Sequence, residues 1–292
     1  MPRVAPCACG EFAAAETTLP ELPEVETVRR SLATRLPGRR IEALDIQQPQ
    51  LRNLLQPAAL RRQLVGTQVV RVARRAKYLL LHLSSADVLV LHLGMSGRLA
   101  LVAAATALEP HTHARIHLDD GMELRFRDPR RFGMLFVVSQ EQLERHPRFV
   151  HLGPEPLTAA FTPLYLQQRA RGLKRPVKNF LMDAGVVVGV GNIYASEALY
   201  RARVHPATPA RRLTLQRWQR VHAAVRATLR HALRAGGTTL RDFRAADGRA
   251  GEFRVRLAVY GREGEACRRC SRVLRRAVQS GRSTFYCPGC QR

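Results

Sequence analysis

The sequence predicts a multidomain α+β protein, and three observations along the chain support this fold class. Short apolar runs typical of strands fill most of the first half, runs with helical spacing fill most of the second, and the final segment carries two Cys-x-x-Cys pairs. The chain has 292 residues, more than one average domain holds, and 46% of them are hydrophobic, enough for real cores. We therefore expect two domains and a small appendage.

The first predicted element is a helix that follows the segment Pro-Glu-Leu-Pro-Glu at residues 20–24. Glu24 and Glu26 lie in its first turn, where acidic side chains interact favourably with the helix dipole. Gly38 is expected to end the helix. Apolar residues at helical spacing define its buried face: Val25, Val28, Leu32 and Leu36.

Five strand-like runs follow this helix and predict a mostly antiparallel β domain. They are VVRVARRAKYLLLHL, VLVLHLGMSGRLALV, ARIHLDD, MELRFRDP and RFGMLFVV. Asp120 and Gly121 separate two of the runs and form a typical hairpin turn pair. The β domain is therefore expected to occupy the first half of the chain.

A segment rich in Pro and Gly, HLGPEPLTAAFTP, predicts a linker before the helical half. The helical runs are PLYLQQRARG, PVKNFLMDAG, NIYASEALYRARV and LTLQRWQRVHAAVRATLRHALRAGG. The last run places five large apolar residues at helix-compatible spacing, and we expect them in the core: Leu213, Trp218, Val221, Val225 and Leu229.

The two Cys-x-x-Cys pairs predict a metal site. Cys267 and Cys270 are followed, after sixteen residues, by Cys287 and Cys290. Four thiolates at this spacing fit a tetrahedral, structural Zn²⁺ in a zinc-ribbon or zinc-finger hairpin, with Arg282 near the hairpin tip. Disulfides are the alternative, which a basic chain without a secretory signal disfavours.

The charge of the chain indicates its partner. Lys and Arg number 48 against 23 acidic residues, which gives a net charge of +25. Nucleic acid is the leading candidate, because neutralising phosphates releases counterions; a merely basic surface is the alternative. Only three of the basic residues are lysines, Lys77, Lys174 and Lys178, and a tunable ammonium is the property that arginine lacks. Chance retention of these lysines is the competing interpretation.

Three further motifs have both a functional and a structural interpretation. VVVGVGNIYASEAL is a glycine-rich turn entering a helix, with Asn192 as cap and donor; it can hold a phosphate or serve only helix packing. RDPRRFG presents Arg130, Arg131 and Phe132, which suit a wedge entering the DNA stack. HLGMSG places Met95 in a tight loop, where it can fill the space left by an extruded base. Phe132 and Met95 are otherwise ordinary core residues.

Together these segments resemble bacterial formamidopyrimidine-DNA glycosylase (Fpg) and its relative endonuclease VIII, in order from residue 20 to residue 292. The matching segments are PELPEVET, RRAKYLLL, HLGMSG, DPRRFG, HLGPEPL, VGVGNIYASEAL, GGTTLRDF, VYGREGEAC and TFYCPGCQ. The resemblance implies an N-terminal antiparallel β-sandwich with flanking helices, a helix–two-turn–helix domain and a C-terminal zinc-finger β-hairpin. It also implies a base-excision glycosylase and lyase for oxidised purines (8-oxoguanine, formamidopyrimidines) in damaged double-stranded DNA.

The resemblance assigns a role to individual residues of this chain. Pro20 is the amine nucleophile at C1′, Glu21 the general acid, Lys77 the proton donor for β-elimination, and Arg282 the residue that assists δ-elimination. The residues expected at the DNA are Met95, His111, Arg130, Arg131, Phe132, Lys174, Lys178, Asn192 and Arg241.

One departure from the family puts the chemistry of Pro20 in question. In the family this proline is the first residue of the mature chain, whereas here Leu19 precedes it. Inside a chain its nitrogen belongs to a tertiary amide and has no free lone pair for attack. A misplaced start, which makes residues 1–19 a non-native extension, is the favoured explanation. Proteolytic trimming is the second, and a lesion-binding protein that no longer cuts is the third.

The expected domains are residues 1–19 as an extension, 20–150 as the catalytic β-sandwich, 151–158 as linker, 159–260 as the helix–two-turn–helix domain and 261–292 as the zinc hairpin. No apolar run is long enough to span a membrane, so we expect a cytoplasmic protein without a membrane partner. A monomer associated with the nucleoid fits an enzyme that wraps DNA between two domains, as the resemblance implies. An endonuclease VIII-like preference for oxidised pyrimidines remains the alternative within the same chemistry.

Overall fold

The computed structural model describes residues 20–237 and 257–292. These residues form an N-terminal β-sandwich, a helical domain, and a C-terminal β-hairpin packed on the helices. The α+β class, the antiparallel sandwich and the terminal hairpin are confirmed.

The elements follow the predicted order. The helices are α1 (Leu22–Ala33), α2 (Pro57–Leu64), α3 (Pro163–Arg169), α4 (Val177–Leu181), α5 (Asn192–Ala202) and α6 (Leu215–Arg234). The strands are β1 (Ile41–Ile46), β2 (Val69–Arg75), β3 (Tyr78–Leu83), β4 (Asp87–His92), β5 (Arg98–Ala103), β6 (Thr112–Leu118), β7 (Met122–Arg127), β8 (Met134–Ser139), β9 (Arg275–Gln279) and β10 (Arg282–Tyr286).

The sandwich consists of two four-stranded antiparallel sheets, with strand orders β1-β6-β7-β5 and β2-β3-β4-β8. The predicted turn at Asp120 and Gly121 joins β6 to β7, and Gly121 takes a φ of 75° there, as such a turn requires. Two of the strand-like runs each contain a turn, so that one yields β2 and β3 and the other β4 and β5.

A core between the two sheets is closed by α1 and α2. The predicted apolar face of α1 is buried, but the helix ends at Ala33 with Thr34 as its C-cap, so the prediction that it runs to Gly38 is wrong by about one turn. Leu36 is buried from the turn that follows. Helix α2 was not predicted, because its eight residues carry only two buried apolar side chains, Leu60 and Leu64.

The second core belongs to the helical domain and the zinc hairpin together. The five residues predicted for it are buried around α6, as expected, and they pack in the same cluster as Phe285, Leu274 and Cys287 of the hairpin. This shared core fixes the hairpin against α5. Among the described helices, none is long and apolar enough to cross a membrane.

Candidate active site and nucleic-acid interface

Glu21 lies immediately before α1, and its carboxylate binds the first turn of α5. Oε1 accepts a hydrogen bond from the N–H of Ile193 at 2.8 Å, while Oε2 accepts from Gly191 at 2.7 Å and from Tyr194 at 3.3 Å. A helix start leaves these amides without intrahelical partners, and the positive end of the helix dipole favours a carboxylate. Glu21 thereby joins the β-sandwich to the helical domain.

The glycines of the VGVGN segment permit this close approach. A Cβ at Gly191 would lie 2.3 Å from Cδ of Glu21, and a Cβ at Gly189, where φ is +78°, would lie 2.5 Å from Cβ of Leu22. Leu22 also donates its N–H to the carbonyl of Gly189 at 3.0 Å. A carboxylate of the protein itself, Glu21, binds the amides of this turn. This supports the interpretation that the motif serves helix packing and not phosphate binding. Helix α5 begins at Asn192 with Gly191 as its N-cap, so the predicted capping role of Asn192 is wrong.

Burial raises the pKa of the Glu21 carboxyl, so that the group is partly protonated near neutral pH. The buried side chain has a carboxyl pKa of about 7, although Lys77 and the backbone N–H groups of Ile193 and Gly191 act to lower it. Neighbouring Glu24 raises the pKa further; it accepts the N–H of Glu21 at 2.9 Å and the hydroxyl of Tyr194 at 2.5 Å. Pro20 precedes this pair and is itself buried.

Lys77 stands in the tight turn between β2 and β3, and a carboxylate from the linker holds that turn. Ala76 takes a φ of 54°, and its N–H donates to Oε1 of Glu155 at 2.8 Å. The Arg74 guanidinium donates to both oxygens of Glu155, at 3.1 and 2.9 Å, and Arg75 lies 3.3 Å from Oε1. The conformation of the Lys77 turn therefore depends on Glu155.

The catalytic residues assigned by the resemblance share one electrostatic environment. Desolvation lowers the pKa of the Lys77 ammonium, Glu21 and Glu24 oppose this, and Arg282 of the hairpin lowers the pKa further. Lys77 therefore lies within electrostatic reach of Glu21, Glu24 and Arg282, although more than 200 residues separate Lys77 from Arg282 in the sequence. The fold thus gathers the four predicted catalytic positions, 20, 21, 77 and 282.

The four C-terminal cysteines form one cluster. Their sulfur atoms all lie within 4.8 Å of one another, with 3.9 Å between Cys267 and Cys290 and 3.4 Å between Cys270 and Cys287. Zn–S bonds of about 2.3 Å in a tetrahedron place sulfurs about 3.8 Å apart, so the donor set fits one Zn²⁺. Backbone N–H groups point at Sγ of Cys267 and Cys287, as they do around metal-bound thiolates.

Lys178 connects the hairpin to the helical domain. It is buried, and its Nζ donates to the carbonyl of Ser283 at 3.0 Å and to Oγ1 of Thr284 at 2.6 Å. The Asn179 amide donates to Oγ of Ser280 in the hairpin turn at 2.5 Å. Both contacts fix the end of the hairpin that carries Arg282.

Two loops of the sandwich, HLGMSG and DPRRFG, are bonded together by one buried carboxylate. Asp128 accepts the hydroxyl of Ser96 at 2.6 Å and the N–H of Gly133 at 2.7 Å, and it is fully buried. Phe132, at the tip of the second loop, is 43% exposed with the Arg130 guanidinium 5.1 Å from its ring centroid. This exposure excludes the interpretation of Phe132 as an ordinary core residue.

Models of three protein domains match this chain. The Formamidopyrimidine-DNA glycosylase N-terminal domain matches residues 19–135, the Formamidopyrimidine-DNA glycosylase H2TH domain residues 152–244, and the zinc finger found in FPG and IleRS residues 264–292. Together they account for most of the chain. The chain belongs to the formamidopyrimidine-DNA glycosylase family.

Named relatives and solved structures agree with this family. Formamidopyrimidine-DNA glycosylase of Alkalilimnicola ehrlichii is 50% identical over 280 residues, covering 94% of this chain and 100% of that protein. The Xanthomonas oryzae pv. oryzae protein is 48% identical over 274 residues with the same coverage. Lactococcus lactis Fpg, crystallised as a mutant with Fapy-dG-containing DNA, is 31% identical with a TM-score of 0.89 over 94% of this chain and 100% of that one. MutM (Fpg) of Thermus thermophilus is 42% identical with a TM-score of 0.84, over 93% and 98%.

Within this glycosylase fold, the predicted DNA-facing residues differ in exposure. His111, Arg130, Arg131, Phe132 and Lys174 are exposed, and Met95 and Asn192 are partly buried. Asn192 donates to the Tyr260 hydroxyl at 3.2 Å, and its buried Oδ1 has no hydrogen-bond partner in the described ranges. Buried Lys178 has its partners in the hairpin, and its role at DNA stays a prediction. Arg241 lies outside the described residues.

Sequence reasoning assigned no role to Glu155 or Asp128, the two acids that hold the Lys77 turn and the paired loops. Both stand inside motifs quoted for the resemblance, HLGPEPL and DPRRFG. In the sequence the available signal was an acid next to proline in a strongly basic chain; their burial, which makes partners necessary, is visible only in the structure. Their partners come from segments far along the chain, and only the tertiary structure identifies them.

Proposed function

We propose that this glycosylase removes oxidised purines from damaged double-stranded DNA and then cuts the strand, with Pro20 as nucleophile and Glu21 as general acid. The observation that carries this assignment is the Glu21 carboxyl, buried at the domain junction with a pKa of about 7 and adjacent in sequence to Pro20. A group with this pKa holds a proton in part of the molecules at neutral pH, as acid catalysis requires.

The first chemical step is substitution at C1′ of the extruded nucleotide. A free Pro20 nitrogen is a secondary amine, and an α-amine titrates near pH 8, so a useful fraction has its lone pair available at neutral pH. The nitrogen forms a bond to C1′ as the bond from C1′ to the base breaks, and the base leaves with the electron pair and takes up a proton. Glu21 then protonates the ring oxygen of the deoxyribose, the ring opens, and an iminium between Pro20 and C1′ results.

Strand cleavage follows from the iminium. The iminium acidifies the proton on C2′, and its loss expels the 3′ phosphate by β-elimination; a second elimination releases the 5′ phosphate. We assign the proton transfer and phosphate contact of the first elimination to Lys77, because desolvation lowers the pKa of its ammonium and so makes it a better proton donor than an exposed lysine. Arg282, exposed at the start of β10 and close enough to Lys77 to affect its pKa, is assigned to the phosphate of the second elimination.

The remaining assignments concern how the duplex is held. Phe132 and Arg130 enter the stack beside the lesion, and Met95 fills the space that the extruded base leaves. His111, Arg131, Lys174, Lys178, Asn192 and Arg241 are assigned to the phosphate backbone and the lesion. We also propose that the protein works as a monomer in the cytoplasm, where it is associated with the nucleoid, which holds its DNA substrate.

The experiment that tests this function compares two chains on a duplex with one 8-oxoguanine opposite cytosine. One chain begins at Pro20, and the other begins at Met1. The expected result is excision, a strand nick and a borohydride-trapped covalent complex with the Pro20 chain only, because the longer chain holds this nitrogen in an amide. Tight binding by both chains with no nick from either would contradict the proposal and leave a lesion-binding protein. A strong preference for thymine glycol would support the oxidised-pyrimidine alternative.

A further inference from the structure

A cavity lined by arginines lies where the zinc hairpin meets the helical domain, away from the catalytic residues. Its volume is about 660 Å³, and five guanidinium side chains line it together with Cys270, Gly289 and Cys290: Arg203, Arg217, Arg220, Arg269 and Arg292. No acidic side chain lines it. None of the proposed steps of excision or cleavage uses this cavity.

Two of these arginines are held in place by the fold. The Arg269 guanidinium lies 4.7 Å from the ring centroid of Tyr200, and Arg217 donates to the α-carboxylate of Arg292, the last residue of the sequence. Arg203 and Arg220 are exposed, and within residues 20–237 and 257–292 neither side chain has a hydrogen bond or a carboxylate within 4 Å. Their charges therefore remain available to a ligand.

Charge balance with the zinc site does not account for the cluster. Four thiolates around one Zn²⁺ carry a formal charge of −2 and the α-carboxylate of Arg292, the last residue of the sequence, carries −1, whereas five guanidiniums carry +5, which leaves an excess of +2. Like charges gathered in one concave site repel one another and attract a counter-ion. Planar guanidinium groups match the oxygen atoms of phosphate with paired hydrogen bonds.

The position of the cavity separates it from the catalytic cleft. Arg203 is the C-cap of α5, whereas Glu21 binds the opposite end of the same helix. An eleven-residue helix is about 16 Å long. The zinc cysteines likewise lie at the base of the hairpin and Arg282 near its tip. A ligand in the cavity is therefore not the phosphate group held at Lys77 and Arg282.

We propose that this arginine cavity is a second anion site, specific for phosphate groups, and that it holds the backbone of a nucleic-acid segment other than the one in the cleft. A free oligophosphate presents the same oxygen atoms and is the other source of this chemistry. With a second segment bound, the protein passes from one duplex to another without first dissociating. The proposal goes beyond the proposed excision chemistry and does not depend on it.

The test uses the double variant Arg203→Gln/Arg220→Gln and the matched control Arg35→Gln/Arg145→Gln. The control removes the same charge at two exposed arginines elsewhere. In the first arm, release of a labelled undamaged duplex is timed at increasing concentrations of unlabelled duplex. The wild type and the control are expected to release the labelled duplex faster as the concentration of unlabelled duplex rises. The cavity variant is expected to release it at a constant rate. The salt dependence of binding the second duplex should also decrease by roughly 2 in slope, since about 0.9 is lost per phosphate contact.

In the second arm, inorganic tripolyphosphate is titrated into the protein with its cleft saturated by a short duplex in which tetrahydrofuran replaces the lesion nucleotide, since that sugar has no base at C1′ to be displaced. Saturable binding that weakens at least about tenfold in the cavity variant alone supports the phosphate site, at the scale of losing a charge-assisted hydrogen bond. Such binding without any competitor effect in the first arm assigns the site to free oligophosphate. If the cavity variant and the control behave alike in both arms, the proposal is overturned. Single-turnover excision from a separate 8-oxoguanine duplex, measured on the same protein preparations, reports separately on the proposed enzyme activity.

Discussion

The carboxylate of Glu21 accepts a 2.8 Å hydrogen bond from the backbone N–H of Ile193, a residue 172 positions further along the chain. The proposed general acid is thus also the clamp between the two domains. Its position relative to Pro20 and Lys77 is set by a helix start in the other domain. Catalysis and domain docking therefore depend on the same side chain.

Replacement of Glu21 by Gln should remove acid catalysis while keeping the shape of the side chain. We expect the single-turnover rate of iminium formation, and of the strand cleavage that follows it, to fall by about 10² to 10⁴-fold, the usual contribution of a general acid. In the wild type, the protonated fraction of Glu21 falls as pH rises through about 7, while the free-amine fraction of Pro20 rises toward pH 8. The rate profile should therefore be bell-shaped, and the variant should lack the falling limb.

The measurement is the rate of strand cleavage, with borohydride trapping of the iminium, from pH 5.5 to 9 for chains beginning at Pro20. Gly191→Ala serves as a comparison, because its added Cβ would press on the Glu21 carboxylate without removing it. That variant should keep a falling limb at a shifted pH. An unchanged profile in Glu21→Gln would assign the acid to another group.

Glu155→Gln should impair strand cleavage more than DNA binding. The substitution removes the charge that holds Arg74, Arg75 and the N–H of Ala76, and with it the conformation of the Lys77 turn. Losing hydrogen bonds to a charged group costs about 1.5–3 kcal/mol each, so we expect at least a tenfold slower elimination. The measurement is the single-turnover cleavage rate on an abasic duplex, beside its Kd.

Glu109→Gln is the control for this experiment, since Glu109 is 67% exposed and pairs only with Arg127 at 3.4 Å among the described salt bridges. It should leave both the rate and the Kd within about twofold, as exposed ion pairs contribute little. A purely structural role for Glu155 would instead lower Tm and weaken binding without slowing cleavage by the bound enzyme.

Phe132→Ala should reduce excision from duplex DNA with little effect on stability. The ring is 43% exposed and contacts the Arg130 side chain, so its removal should change the free energy of unfolding by about 0.5 kcal/mol or less. Without the wedge, the cost of unstacking the target base is no longer offset, and the rate should fall at least tenfold for a paired lesion. The loss should be smaller opposite a mismatch. Leu164→Ala, at a residue 52% exposed on α3, should affect neither rate.

Cys270→Ser should release the metal and weaken DNA binding. One Zn²⁺ per chain is expected by elemental analysis of the wild type, and the variant should lose it because a structural site needs all four ligands. The hairpin shares its core with α5 and α6, so Tm should fall, and Arg282 should lose its position near Lys77. Cys9→Ser, at a cysteine that belongs to neither Cys-x-x-Cys pair of the sequence, should retain the metal. Full DNA binding by the metal-free variant would contradict the structural role of the hairpin.

The linear sequence was sufficient for the elements whose evidence is local. The Asp120–Gly121 turn, the amphipathic faces of α1 and α6, and the Cys-x-x-Cys pairs each depend on short spacings, and the structure contains all of them. Helix α2 was missed because only two of its side chains reach the core. The end of α1 was misplaced because Leu36 keeps the helical spacing after the helix has ended.

By itself, the sequence determined the fold class, the family resemblance, the zinc ligands and which residue types are available for catalysis. These follow from spacing and composition, which are properties of neighbouring residues. Only the tertiary structure decided that Glu21 binds the start of α5, that Glu155 holds the Lys77 turn and that five arginines share one cavity. The physical reason is that burial, pKa and ion pairing depend on distances between segments remote along the chain, and these distances exist only after folding.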